Sequence, residues 1–214
     1  MNHYTSIARF WAFRSAVALL GTLALAVMAC GQDPQIVWVE EDWELTVGTP
    51  DPASDAPQIT CLISPNGDLG SLYATFELNQ QNELTFESGG LQLQVWDGEV
   101  LVKDAGYSNQ NALNQPGEVI RWTQSMRVHD NHLTFKVTNG ASTTWGAFGG
   151  IEASVPTTMQ SLNGYRPGVS AANSGVSYAG HRVDSMVLKA VRYHTSTDQV
   201  IEDTTTPKII HTHD

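Results

Sequence analysis

The fold is decided by the stretch Leu91-Gln92-Leu93-Gln94-Val95-Trp96-Asp97-Gly98-Glu99-Val100-Leu101-Val102. Apolar side chains alternate with glutamines at Leu91, Leu93 and Val95, which is the period of two expected of a half-buried β-strand. Asp97-Gly98 then supplies the positive φ angles that a type I′ turn requires. The stretch therefore predicts a β-hairpin whose first strand packs one face against a core.

Further β-rich runs flank this hairpin on both sides. Turn-forming residues separate them at spacings typical of sandwiches and barrels, with turns expected at Asp130-Asn131 and Asn139-Gly140. The runs occupy residues 35–47, 58–64, 71–78, 119–128, 132–138 and 182–194. Beyond the N-terminal segment, we find no helical run of twelve or more residues and no internal repeat. The sequence therefore predicts an all-β protein built as a single antiparallel, jelly-roll-like β-sandwich.

The last long run, Arg182 to His194, is interpreted as a strand because its apolar residues form no clean stripe at helical spacing. Alternation along a strand would place five residues on one face: Val183, Ser185, Val187, Lys189 and Val191. The tail that follows, residues 196–214, is rich in Thr and Asp. We expect it either to add an edge strand or to stay loose.

The first 29 residues have the layout of a secretory signal. Arg9 and Arg14 give a basic start, the stretch Ala16–Met28 is apolar, and small Ala29 precedes Cys30. A helix that crosses a membrane needs about 20 apolar residues, more than this stretch provides. We therefore expect a cleaved N-terminal signal helix at residues 1–29 and a mature chain that begins at Cys30.

Two cleavage reactions are open at Cys30. The run Val27-Met28-Ala29-Cys30 resembles a bacterial lipobox, in which the cysteine becomes the lipidated first residue, but it also satisfies the small-residue rule of ordinary signal peptidase. With lipid on Cys30, Cys61 must be a free thiol; without lipid, a Cys30–Cys61 disulfide can form. The protein is therefore expected outside the cytoplasm, either lipid-anchored to a bacterial membrane or secreted.

Removal of the signal leaves 185 residues, enough for one domain with a full core. We divide them into an acidic N-terminal segment and linker at 30–57, a sandwich core at 58–195 to which 35–47 can add a strand, and the tail. The signal contains two basic and no acidic residues, so its loss changes the net charge from −11 to −13. Such a charge repels nucleic acid and anionic membranes, and membrane contact is expected only through the lipid anchor.

Three pieces of the chain between Leu91 and Tyr193 share a layout with known sandwiches. They are the two hairpins, the run Leu133–Gly140 followed by Trp145-Gly146, and the closing strand Val183–Leu188 with its Asp184. On these pieces the chain resembles the concanavalin A-like lectin/glucanase and laminin-G-like sandwiches, over roughly half of its length. Immunoglobulin-like and jelly-roll sandwiches generate similar patterns. The resemblance implies a two-sheet fold and a carbohydrate ligand.

An E-x-D-x-E spacing is formed by Glu40, Asp42 and Glu44. On a strand these carboxylates share one face, and the resemblance to laminarinase-type glucanases implies roles as nucleophile, assisting acid and general acid/base. In that family the intervening positions are mostly apolar, whereas one of them here is Glu41. The alternative is a solvated acidic face on an edge strand that discourages aggregation.

Calcium is the cofactor considered, because sandwiches of this kind often hold it with loop oxygens. Asn66, Asp68 and Asp104 are the candidate ligands, with Asn109 and Asn111 beside the last of them. No D-x-D-x-D-G spacing is present, and turn formation explains the same positions without an ion. We expect no cofactor, with Ca²⁺ as the alternative.

Two tryptophans are candidates for stacking on sugar rings. Trp43 lies among acids, and Trp145 lies beside a Gly-rich loop; core packing is the alternative for both. The sequence thus predicts an exported binding or surface-structural module, with glycan as the ligand class. One alternative is a glycoside hydrolase that uses Glu40, Asp42 and Glu44, and another is a non-enzymatic subunit of a cell-envelope assembly that binds an envelope protein.

Overall fold

The computed structural model describes residues 33–49, 59–78, 90–108, 115–167 and 183–212. The signal segment, Cys30, the connector 50–57, Asn109 and Asn111 lie outside these residues, so the expectations about them stay predictions. All strands belong to one compact unit, Pro34–Asp214. The described part of the chain contains no α-helix, and so none that could span a membrane.

Twelve β-strands form the described fold. In chain order they are β1 Ile36–Val47, β2 Ile59–Ile63, β3 Leu72–Leu78, β4 Gly90–Asp97, β5 Val100–Ser108, β6 Val119–His129, β7 His132–Ser142, β8 Gly146–Phe148, β9 Ile151–Pro156, β10 Val183–Thr195, β11 Val200–Glu202 and β12 Lys208–Thr212. Most predicted β-rich runs correspond to a strand within one or two residues. Two strands are longer than predicted: β5, the second half of the first hairpin, and β7, which continues four residues beyond its predicted end at Thr138. The tail adds β11 and β12.

The strands form two antiparallel sheets. The eight-stranded sheet A has the order β11-β10-β1-β6-β7-β8, with β12 also paired to β10 and β9 also paired to β7. The four-stranded sheet B has the order β2-β3-β4-β5. The expectation of an all-β protein built as an antiparallel β-sandwich is confirmed.

Aromatic rings form the centre of the core between the sheets. Trp43 of β1 and Trp122 of β6 stack with 6.0 Å between ring centroids, and Phe76 of β3 meets Trp122 at 5.3 Å. Phe148 of β8 stacks on Phe76 at 5.9 Å. Since aromatic side chains bury about 150–250 Å² each, these rings join sheet A to sheet B.

Strand β1 lies in the middle of sheet A, which corrects the expectation of an edge strand. It pairs with β10 on one side and with β6 on the other along nearly its whole length. Its burial alternates, with Val39, Glu41, Trp43 and Leu45 buried and the residues between them partly exposed. A central strand has no free edge to protect, so its acidic residues cannot serve as an edge device against aggregation.

The turns agree with the sequence at one place and differ at two. Asp130 and Asn131 have φ of 48° and 59° and close the β6–β7 hairpin as predicted. In the β4–β5 hairpin the turn residues are Gly98 and Glu99, one position later than expected, and Gly98 but not Asp97 has positive φ (57°). Asn139-Gly140 is not a turn, because β7 continues through both residues to Ser142.

Strand β10 exists as predicted, but its predicted face is wrong. Two register shifts against β1 leave Asp184 and Lys189 without partners there, and each extra residue reverses the alternation. Met186 and Leu188 therefore face the core, whereas Val187 is only partly buried. The shift at Lys189 also brings its ammonium onto the outer face of sheet A, next to Glu44.

Candidate functional site

The outer face of sheet A, turned away from sheet B, carries most of the basic residues. Of the eight Lys and Arg in the described part of the chain, five lie here: Arg121, Arg127, Lys136, Lys189 and Arg192. They stand beside Glu40, Asp42 and Glu44, which share this face as predicted. The five cations therefore more than offset these three carboxylates, although the chain as a whole carries −11.

On this face, Asp42 is fixed by three hydrogen bonds. Arg192 grips it with two hydrogen bonds, Nη1 to Oδ2 at 2.6 Å and Nη2 to Oδ1 at 3.0 Å, and the Thr123 hydroxyl donates to Oδ1 at 2.8 Å. Partial burial raises the pKa of Asp42, but the hydrogen bonds from Arg192 and Thr123 outweigh it, so the pKa lies below its ordinary value. Asp42 is thus a fixed, ionised acceptor.

Glu44 and Glu40 complete the acidic row. Glu44 accepts from Arg121 Nε at 2.7 Å and from Lys189 Nζ at 3.4 Å. The hydrogen bond from Arg121 is the main reason that the pKa of Glu44 is lowered, against the opposing effect of burial. Glu40 lies 2.9 Å from His194 Nε2 and accepts from Arg192 Nε at 3.3 Å. Arg192 therefore links Glu40 to Asp42.

A groove of about 470 Å³ lies over Asp42 and Glu44 at the level of β1, β6 and β7. Its lining comprises Asp42, Trp43, Glu44, Arg121, Trp122, Thr123, Asn139, Gly140, Ala141 and Lys189. Gly140 leaves room on the inner side of β7 for the buried Phe148 ring, because a Cβ there would lie 2.0 Å from that ring. Asn139 is exposed, and no described side chain bonds to its amide. The groove thus offers an amide, a hydroxyl, two carboxylates and two cations.

Trp38 is the aromatic residue of this face, at the end of β1 away from the groove. Its ring stacks on His194 at 3.9 Å with 15° between the planes, and the Arg127 guanidinium lies 5.8 Å from its centroid on β6. These two contacts occupy the ring. Trp38 therefore fixes His194 beside Glu40 instead of offering an open surface.

Beneath the groove, on the inner side of β1, Glu41 is completely buried. Its carboxylate accepts from three donors: the Tyr165 hydroxyl at 2.5 Å, Gln124 Nε2 at 2.7 Å and Trp43 Nε1 at 2.9 Å. Burial raises the pKa of Glu41, and the hydrogen bonds from Tyr165, Gln124 and Trp43 offset part of that rise. The cluster ties β1 to β6 and to the segment after β9.

Cys61 lies against the same cluster as a free, fully buried thiol. Gln124 Nε2 approaches its sulfur at 3.5 Å, and burial, then the charge of Glu41, raises the pKa of the thiol. A buried thiol with a raised pKa has little thiolate to react. Its position in the core matches the expectation that accompanies a lipidated Cys30, although Cys30 itself lies outside the described residues.

Neither tryptophan proposed for sugar stacking offers a ring to a ligand. Trp43 and Trp145 are each 1% exposed. Trp43 faces inward because it alternates with Asp42 and Glu44, and Trp145 is drawn into the core by the turn between β7 and β8, where Thr144 N donates to Glu118 Oε1 at 2.6 Å. Core packing is the role that the structure gives them.

The three calcium candidates are not brought together. Asn66 and Asp68 share the β2–β3 turn, where Asn66 Oδ1 accepts from Asp68 N at 3.0 Å and Asp68 Oδ1 accepts from Gly70 N at 2.8 Å. Asp104 instead lies on β5 opposite Gln94. In the described part of the chain, no three His, Cys, Asp or Glu side chains form a group that could hold a metal ion.

The residues missed at the sequence level are the partners of the acidic row: Arg121, Thr123, Asn139, Lys189 and Arg192. Their signal was present in part, because Arg121, Thr123 and Arg127 occupy alternate positions of a predicted strand and so share its exposed face.

The chain matches no protein-family model, and it matches no curated protein by sequence.

Proposed function

We propose that this protein is an exported, non-catalytic β-sandwich module that binds a neutral glycan in the groove on the outer face of sheet A. The observation that carries the proposal is the lining of that groove. Asp42, Glu44, Arg121 and Thr123 hold one another in place through hydrogen bonds of 2.7–2.8 Å before any ligand arrives. Preorganised polar groups lose little entropy on binding, so their hydrogen bonds count more toward affinity.

The charges of the lining favour a neutral ligand. Asp42 and Glu44 are balanced by Arg121 and Lys189, so the groove has no excess of either sign to attract an ion. A sugar is neutral and carries hydroxyl groups that both donate and accept. The groove provides both kinds of partner. Its carboxylates accept hydrogen bonds, the remaining N–H groups of Arg121 and Lys189 donate them, and the exposed Asn139 amide can do both. The overall charge of the protein further disfavours acidic polysaccharides.

The same contacts argue against the glycoside hydrolase alternative. A retaining glycosidase needs one carboxylic acid whose pKa is raised, so that it can donate a proton to the leaving oxygen. The pKa values of Asp42 and Glu44 are lowered by Arg192 and by Arg121. On β1, the carboxyl whose pKa is raised, Glu41, lies on the other side of the strand and is buried. Binding therefore accounts for the row better than catalysis.

We test binding with neutral β-glucan hexasaccharides and, for comparison, with uronic-acid oligosaccharides of similar length, titrated into the purified protein by calorimetry. The neutral probes should bind, and Asn139→Ala and Arg121→Ala should each weaken binding about tenfold or more. Lys136→Ala is the matched control, because Lys136 lies on the same face but pairs with Glu152 outside the groove. Equal affinity of the groove variants and the wild type would overturn the proposal.

Hydrolysis is measured on the same samples as release of reducing ends. Binding without hydrolysis supports a binding module. Hydrolysis that is abolished by Glu44→Gln or Asp42→Asn, but not by Lys136→Ala, would instead establish the enzyme alternative.

Localisation is part of the proposal. We infer a lipid anchor on Cys30, supported by the lipobox-like run before it and by the buried position of the other cysteine, Cys61. Intact mass spectrometry of the protein from a bacterial host should show a diacylglyceryl-sized addition on Cys30 and one alkylatable thiol after denaturation. A mass without lipid, together with two thiols that appear only after reduction, would show a secreted protein with a disulfide.

A further inference from the structure

Sheet B ends in a strand that exposes apolar side chains. Val100, Leu101 and Val102 of β5 are 62%, 44% and 44% exposed, and all residues from Glu99 to Asp104 are exposed. In the described part of the chain, β5 pairs only with β4. Three consecutive exposed apolar residues on an edge strand form a surface that natural proteins normally protect.

The five residues of this strip, Glu99-Val100-Leu101-Val102-Lys103, are complementary to themselves when read in opposite directions. Two copies aligned antiparallel about a twofold axis at Leu101 would place Leu101 opposite Leu101 of the partner subunit. Val100 would then face Val102 of the partner subunit, and Glu99 would face Lys103 of the partner subunit. Twofold symmetry repeats every contact, so the interface contains two ion pairs around an apolar centre.

We propose that the strip Glu99–Lys103 is a self-association surface, through which two copies of this protein pair antiparallel with Leu101 at the centre. The charges at its ends favour this occupant and this register. Within the described residues neither Glu99 nor Lys103 has an ion-pair partner. Sliding one copy by one residue would bring Lys103 opposite Gly98 or Val100 of the partner subunit, neither of which can form an ion pair. This surface lies on sheet B and is independent of the groove.

The dimer is expected to be transient. Val102 has no partner on β4, because the β4–β5 register shifts between Val95 and Trp96, and such a bulge weakens regular ladder pairing along the outer edge. A strip of five residues also buries far less than the roughly 1,200–2,000 Å² of a stable interface. Side chains therefore supply most of the attraction, and a tether that raises the local concentration would favour pairing.

Sedimentation equilibrium of the full protein over a wide concentration range tests the proposal. The wild type should show a monomer–dimer equilibrium. Leu101→Lys should remove it, because the two lysines would meet at the twofold axis. Ile209→Lys is the matched control, since Ile209 is also apolar, 72% exposed and on an edge strand, but in sheet A.

A charge exchange tests the register. Lys103→Glu and Glu99→Lys should each weaken the dimer about tenfold or more, because each replaces two attractive pairs by two repulsive ones. The double variant Glu99→Lys with Lys103→Glu should restore the wild-type equilibrium. Salt near 1 M, where the Debye length is about 3 Å, should reduce the difference between the single variants and the wild type.

Oxidative cross-linking provides a second measurement. Leu101→Cys should give covalent dimers readily, because directly opposed Cα atoms in an antiparallel pair are about 4.5–5.5 Å apart, within the range of a disulfide. Ile209→Cys should not. A wild type that stays monomeric at all concentrations, or a double charge variant no better than the single ones, would overturn the proposal, whatever the outcome of the glycan titration.

Discussion

The two sides of strand β1 place carboxylates of the same short run in opposite environments. Glu41 points into the core, has no exposed surface and is met by Tyr165, Gln124 and Trp43. Its neighbour Asp42 points outward and is met by Arg192 and Thr123. Burial raises the pKa of the first, and an arginine lowers the pKa of the second. A shift of one position along the strand therefore decides whether a carboxyl stabilises the fold through buried hydrogen bonds or through ion pairs.

The comparison indicates which carboxylates can be substituted with little loss of unfolding free energy. An inner carboxyl keeps three donors satisfied in a place that water cannot reach, so its loss leaves those donors unpaired. An outer carboxylate can be replaced by water. We therefore expect the inner side of β1 to govern stability and the outer side to govern binding.

The largest expected effect is that of Glu41→Ala. It removes the shared acceptor of Tyr165, Gln124 and Trp43 and leaves a cavity, which together should cost about 3–5 kcal/mol of unfolding free energy. Glu41→Gln should cost about 1–2 kcal/mol, because the amide retains one acceptor oxygen. Urea unfolding at neutral pH measures both, with the exposed Glu152→Ala as the control. A loss below about 1 kcal/mol for the alanine variant would contradict this account.

Glu77 of β3 extends the comparison to sheet B. It is 8% exposed, and burial raises its pKa to about 7. A raised pKa means that the folded state holds the proton longer than the unfolded state, so the stability contributed by Glu77 is complete below about pH 4.5 and is lost as pH rises toward 7. Glu77→Gln should therefore stabilise the protein by roughly 1–3 kcal/mol at pH 8.

The same substitution should have little effect at pH 4, where both states of the wild type are protonated. Thermal or urea unfolding of the two proteins across this pH range gives the comparison. A stabilisation independent of pH would show that the amide improves packing and that the titration of Glu77 plays no part.

Asp42→Asn should have a smaller effect of the opposite pH dependence. The amide loses the ionic part of the two-pronged contact with Arg192, which should cost about 1–2 kcal/mol at neutral pH. Because the pKa of Asp42 is lowered in the folded state, its contribution is present above the ordinary pKa and disappears as pH falls through the folded value. The difference from the wild type should therefore vanish in acid. Asp104→Asn, on exposed β5, is the control.

Local periodicity predicted the strands and the common face of Glu40, Asp42 and Glu44, because side-chain direction depends only on the backbone alternation. The same alternation turns Trp43 inward. The sequence alone could therefore have shown that Trp43 is a core residue and not a binding residue. By contrast, the faces of β10 depended on two bulges, and a single extra residue reverses every side chain after it.

The partners of the site could not be predicted, because they come from distant parts of the chain. Gln124 is 83 residues from Glu41, Tyr165 is 124 residues from it, and Arg192 is 150 residues from Asp42. The position of β1 in the middle of sheet A had no local signal either, since order along the chain does not give order in a sheet. Only the three-dimensional pairing distinguishes a central acidic strand from an exposed edge.

The smallest expected change in stability is that of Glu44→Gln. Its partners Arg121 and Lys189 are 67% and 47% exposed, so solvent screens both contacts and their loss should cost less than about 1 kcal/mol. A double-mutant cycle with Arg121→Ala isolates the contact between the two side chains. The proposed glycan affinity should nevertheless fall in the same samples, since Glu44 lines the groove. Unchanged affinity, or a loss of stability as large as that of Glu41→Ala, would remove the distinction between a binding side and a structural side of β1.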